Sequence, residues 1–115
     1  MPTEKYPQKI LIVEDETVMM RALVDNLTQS GFEHLLQAKD GEEGLAIAIK
    51  EAPDLILLDI VMPKMDGLTM FKKLRESPGG KSVKVILLTN LNANDNITKA
   101  VIENEPSYYL IKANF

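Results

Sequence analysis

Five short apolar runs alternate with helix-patterned segments along these 115 residues. Lys9–Glu14 is the first run, rich in β-branched residues and read as a strand. Thr17–Ser30 then carries Val18, Ala22, Leu23 and Leu27 at helical spacing and stops at Gly31. A shorter, mixed strand covers His34–Ala38. Asp40 is placed to cap a helix over Gly41–Ala52, with Leu45, Ala48 and Ile49 as its apolar face. After Pro53 and Asp54 comes Leu55-Ile56-Leu57-Leu58, too short for a spanning helix and apolar without alternation, the pattern of a strand buried on both faces. A third helix over Gly67–Glu76 turns Leu68, Phe71 and Leu74 inward, and a fourth strand runs Val83–Thr89. A fourth helix over Asp95–Asn104 uses Ile97, Ala100 and Val101, and beyond Pro106 the fifth strand is Tyr108–Ile111. This alternation implies an α/β fold, a doubly wound parallel sheet with right-handed crossovers and helices on both faces.

One domain is the natural size for such a chain. Residues 1–8 read as a short polar leader, 9–115 as the domain, and Ser77–Ser82 as an exposed turn within it. The sequence stops just after the fifth strand, so a closing helix is expected to be missing or truncated. That would leave one sheet face thinly covered, lowering stability or favouring self-association. Composition is ordinary for a globular protein, 45% apolar and 26% charged. A net charge of −4 gives no footprint for nucleic acid or an acidic membrane surface. With no cysteine, disulfides and thiolate metal sites are excluded, which suits a reducing cytoplasm. No signal-peptide pattern and no membrane-spanning apolar run occurs.

The chemistry-bearing residues gather at the C-terminal ends of the strands, where open parallel sheets form their ligand crevices. The first strand delivers Glu14 and Asp15, the third Asp59 and the fourth Thr89, and Lys112 follows the fifth. Pro63 and Asp66-Gly67 force the chain out of the third strand through a constrained loop. Three converging carboxylates repel one another unless a cation sits among them. Oxygen donors without His or Cys suit a hard ion, Mg²⁺ first. Lys112 adds a positive charge and Thr89 a hydroxyl, both suited to phosphoryl oxygens.

Over residues 8–112 the chain resembles the receiver domain of two-component response regulators. The residues that carry the likeness are the pair Glu14-Asp15, Asp59 in a D-x-x-M-P-x-x-D-G pattern, Thr89 after an apolar strand, and Tyr109 three residues before Lys112. The resemblance implies a flavodoxin-like sheet of order 2-1-3-4-5, the general order of that fold. It implies that Asp59 is the phosphoacceptor, modified by the phosphohistidine of a sensor histidine kinase or phosphotransfer protein. It further implies Mg²⁺ held by Glu14, Asp15, Asp59 and the Val61 carbonyl, charge compensation by Lys112, and a switch in which Thr89 meets the phosphoryl group while Tyr109 changes rotamer. Such a domain is not an enzyme in the usual sense, since it catalyses only its own phosphorylation and dephosphorylation. Val61 and Leu91, two positions beyond Asp59 and Thr89, would border the path of a hydrolytic water and, being apolar, slow its attack.

The sequence departs from the family at three places. Ala113 follows Lys112 where Pro preceded by a cis bond is usual, Glu105-Pro106-Ser107 replaces a Gly-Ala-Asp turn, and Asn90 replaces a small residue. A cis bond before a non-proline residue costs about 2.5–4 kcal/mol. Alone, Glu14-Asp15 would be a strand end and helix cap, Lys112 a solvated lysine, Tyr109 core packing and His34 a plain strand residue. It is their order along the chain that favours the functional reading. One alternative is a degenerate receiver serving only as a protein-binding module. Another, a metal-dependent phosphatase, lacks the closely spaced D-x-D after a strand, since Ile60 and Val61 follow Asp59.

Overall fold

The computed structural model describes residues 5–60, 62, 64–89 and 108–111, with Thr89 and the last four by backbone alone. In chain order the elements are β1 (Tyr6–Val13), α1 (Thr17–Gln29), β2 (Phe32–Ala38), α2 (Gly41–Glu51), β3 (Leu55–Asp59), α3 (Gly67–Glu76), a 3-10 turn (Pro78–Gly80), β4 (Lys84–Thr89) and β5 (Tyr108–Ile111). The sheet order is β2-β1-β3-β4-β5 and every neighbouring pair is parallel, as expected. The helix expected over Asp95–Asn104 and the residues after Ile111 lie outside the described residues.

The unbroken apolar runs are explained by two cores, one on each face. Leu11, Val13, Ile56, Leu58, Val85 and Leu87 pack with Ala48 of α2 and Met70, Phe71 and Leu74 of α3. Ile10, Ile12, Leu57 and Leu88 point the other way, against Met20 and Leu23 of α1. Successive strand residues face opposite sides, so a strand covered twice must be apolar at every position.

Two helix faces differ from expectation. Val18 is 83% exposed and Ile49 60% exposed. Residues advance by about 100° per position around a helix, which puts Val18 on the side away from the buried Met20. In α2 the buried face is the small-residue line Gly41, Gly44 and Ala48. A Cβ on Gly44 would lie 2.9 Å from Val13 Cγ2, so α2 sits close against β1 along its smallest residues and turns Ile49 outward.

β1 begins three residues before Lys9, its expected start. The Tyr6 ring lies 5.0 Å from that of Phe32, the Tyr6 N–H donates to Gly31 O at 2.9 Å, and the β1–β2 register shifts between Tyr6 and Lys9. Pro7 lies inside that irregularity, where its missing N–H interrupts the ladder. The segment expected as an exposed turn contains the 3-10 turn and a buried Gly80. Arg75 closes it, donating to Gly80 O at 2.9 Å and Val83 O at 2.8 Å while its guanidinium lies 4.8 Å from the Phe71 ring centroid.

α3 starts where the Asp66-Gly67 signal put it. The Asp66 carboxylate accepts from the Thr69 N–H at 2.8 Å and caps the helix. Asp66→Ala should therefore lower stability by about 1 kcal/mol, read from a denaturant midpoint, while Asp66→Asn keeps most of it. Equal losses in the two variants would exclude the cap as the cause.

Candidate functional site

β1 and β3 are neighbours in the sheet, yet α1 leaves β1 on one face and α2 reaches β3 across the other. Their C-terminal ends flank the point where the winding reverses, the position at which such sheets open a crevice. Val13 pairs with Leu58, so the next residues, Glu14 and Asp59, arrive side by side. Carboxylate oxygens of Glu14, Asp15 and Asp59 lie within 4.8 Å of one another. Glu14 is 1% exposed and Asp59 3%, with Glu14 Oε1 and Asp59 Oδ2 sealed from solvent, whereas Asp15 stands at the exposed rim.

Backbone contacts hold the strand ends that carry the two buried acids. The Glu14 N–H donates to Ala38 O at 3.0 Å, and its Oε2 accepts from the Glu16 N–H at 3.1 Å, which turns the chain into α1. Asp59 ends β3 opposite Leu88, and the Ile60 N–H donates to Leu88 O at 3.1 Å. The Gly67 N–H returns to Ile60 O at 2.7 Å, closing the loop after Asp59 at its base. A Cβ on Gly67 would collide with the Asp59 carbonyl oxygen and lie 2.8 Å from Ile60 Cα.

The donor set fits a small hard cation: three carboxylates, two of them buried, with no nitrogen or sulfur ligand in the group. Two acids buried this deeply beside a third are costly without a compensating positive charge. A cleft of about 770 Å³ lined by Tyr6, Phe32, Leu55 and Lys84 opens at the opposite, N-terminal edge of the strands, away from these acids.

The other expected site residues are less fully described. Thr89 pairs with Ile111, and Tyr109 with Leu87, through the β4–β5 ladder. Val61, Asn90, Leu91, Lys112 and Ala113 lie outside the described residues. His34 is an exposed strand residue.

Sequence reasoning did not find the contacts that hold the loop after Asp59 against α2. The Gly41 N–H donates to Met65 O at 3.1 Å, and Lys64 Nζ lies 3.6 Å from Asp40 Oδ2. Asp40 also accepts from the Glu43 N–H at 2.9 Å. That hydrogen bond chiefly holds its carboxyl below the usual value of 3.8, with Lys64 helping and partial burial opposing. The sign follows from linkage. A carboxyl depressed in the folded state adds stability above its ordinary range, and this is lost as pH falls through the depressed value.

A parallel 2-1-3-4-5 sheet with three carboxylates gathered at its winding reversal defines a flavodoxin-like α/β module with an acidic crevice. The family model for the response regulator receiver domain matches residues 10–114, and the chain belongs to that family. It is 40% identical over 84 residues to the response regulator PleD of Caulobacter vibrioides, a match covering 73% of this chain and 18% of that protein. The chain thus corresponds to a fraction of that relative's length. The Vibrio cholerae chemotaxis protein CheY4 superposes with a TM-score of 0.83 at 27% identity, covering 93% of this chain and 88% of that one. The receiver domain of the Pseudomonas aeruginosa sensor histidine kinase PA1611, solved with a magnesium ion in its active-site cleft, gives 0.83 at 28% identity, covering 93% and 86%. The chain is a receiver domain of the two-component response regulator type. No helix among the described residues is long and apolar enough to cross a membrane.

Proposed function

We propose that Asp59 is the phosphoacceptor of a cytoplasmic phosphorelay, taking its phosphoryl group from the phosphohistidine of a sensor histidine kinase or a phosphotransfer protein. The observation that carries the reading is the meeting of Glu14, Asp15 and Asp59 within 4.8 Å where the winding reverses. A carboxylate oxygen of Asp59 attacks phosphorus, an O–P bond forms as the P–N bond breaks, and the imidazole leaves with the bonding electron pair. β3 carries the nucleophile on a paired strand end, and the Ile60 and Gly67 backbone bonds hold the main chain that follows it. Glu14, Asp15, Asp59 and the Val61 carbonyl would hold Mg²⁺, which supplies positive charge against the carboxylates and the phosphoryl oxygens. Lys112 adds a second positive charge. Thr89 binds the phosphoryl group, and Tyr109 follows it, changing the face presented to a downstream protein.

No specific observation favours the degenerate binding module. All three acids are retained, and two are buried at a cost that a mere docking surface would not require. Intact mass after incubation with acetyl phosphate tests the reading. One phosphoryl group is expected with Mg²⁺ and none in EDTA, and peptide mapping should place it on Asp59. Equal uptake in EDTA, or a phosphoryl group on another residue, would overturn the assignment.

A further inference from the structure

The loop between Asp59 and α3 is tied at its base by Gly67 and at its tip by an element it does not belong to. At the tip, Lys64 has φ 65°, a left-handed backbone that side-chain-bearing residues seldom adopt. That conformation is held on both sides. The Lys64 ammonium is 3.6 Å from Asp40, and the next residue, Met65, accepts from the Gly41 N–H at 3.1 Å. The approach leaves no room for a side chain on Gly41, whose Cβ would fall on Met65 O and lie 2.9 Å from Met65 Cβ. Asp40 is itself fixed, because its other oxygen caps α2 through Glu43. An uncommon backbone angle persists where its surroundings over-determine it, and such places cluster at functional sites.

We propose that Asp40 is a positioning residue for the phosphoacceptor loop: with Gly41 it anchors Lys64 and Met65 to the start of α2, and so fixes the segment leaving Asp59. The proposal rests on the reading of Asp59 given above. Asp40 touches no reacting atom and acts through the loop. With both ends of the loop pinned, Asp59 keeps its attacking geometry without an ordering step in each reaction. Untethered, the tip samples other conformations and the maximal rate falls, while binding of a small phosphodonor changes little.

The test uses variants that keep the local fold. Asp40→Asn retains an oxygen to accept from Glu43 and loses the charge facing Lys64. Lys64→Gln keeps a side chain of similar backbone preference and loses the ammonium. Each should lower the maximal rate of acetyl phosphate-dependent modification about threefold, the scale of one partly exposed ion pair. Half-saturating acetyl phosphate should stay unchanged, the double variant should be no slower than either single one, and Lys64→Arg should restore the rate. Rates equal to wild type, or losses that multiply in the double variant, would overturn the proposal. Hydrogen exchange at the Gly41 amide provides a readout independent of phosphorylation and should quicken in both single variants. If the wild-type chain takes up no phosphoryl group, the Asp59 reading fails while Gly41 exchange still decides the tether. Unchanged exchange overturns it, and faster exchange in both variants supports it.

Discussion

Asp59→Asn is expected to take up no phosphoryl group and, without divalent cations, to melt above the wild-type chain. The first effect follows from chemistry, because a neutral amide has no anionic oxygen with which to attack phosphorus. The second follows from the crowding of Glu14, Asp15 and Asp59 within 4.8 Å. Two unit charges about 5 Å apart repel by about 3 kcal/mol at an effective dielectric of 20. Asparagine matches the size of aspartate and removes one of the three charges. Allowing for the exposed Asp15 and for the positive charge proposed for Lys112, a net gain of about 1 kcal/mol is expected, a rise of roughly 4–8 °C in Tm for a domain near this size. Millimolar Mg²⁺ should reverse the order, since a cation that binds only the folded wild type stabilises it by mass action. Thermal melts with EDTA and with Mg²⁺, beside the intact-mass assay, check both parts. A lower Tm for Asp59→Asn in EDTA would mean that another charge already balances the carboxylates.

Gly67→Ala should be the most damaging single-methyl change near the site. The added Cβ would strike the Asp59 carbonyl oxygen and lie 2.8 Å from Ile60 Cα and 2.9 Å from Asp59 C. Every obstructing atom is backbone, and the Ile60 N–H is bonded to β4, so no flexible side chain can move aside. Either α3 must retreat or the end of β3 must bend, at a cost of about 3 kcal/mol. The obstructing carbonyl belongs to the proposed nucleophile, so a displacement of about 1 Å should also slow modification roughly a hundredfold. Gly79→Ala is the control. Beyond its own local backbone and chain neighbours no heavy atom lies within 4 Å of its Cβ position, and its stability should stay within about 0.5 kcal/mol of wild type. Denaturant midpoints and modification rates compare the two, and coincident midpoints would show that the close approach to Asp59 relaxes freely.

Much of this architecture was legible in the chain because its signals are local. Leu55–Leu58 reads as a doubly covered strand from four residues, Asp40 as a cap from the helix that follows it, and Asp66-Gly67 as the break before α3. Ile49 and Val18 were misread for a physical reason. Helical spacing says which residues share a face, but not which face meets the sheet when glycines and an alanine offer a closer fit. The early start of β1 was hidden because Pro7 suppresses the expected strand pattern, while a Tyr6–Phe32 ring contact sustains pairing across it.

By itself the sequence determined the parallel α/β class and placed acids at the ends of β1 and β3, since apolar period, caps and breakers act over a few residues. Only the tertiary structure decided how close those acids come, because their separation depends on β1 and β3 pairing in register, Val13 beside Leu58. It also decided that Lys64 would meet Asp40, that Met65 would meet Gly41, and that α3 would begin against the Asp59 carbonyl. Those contacts arise where a helix start and a loop from different crossovers are brought to the same edge of one sheet. No local pattern encodes that geometry. Packing on the two faces of the sheet sets it.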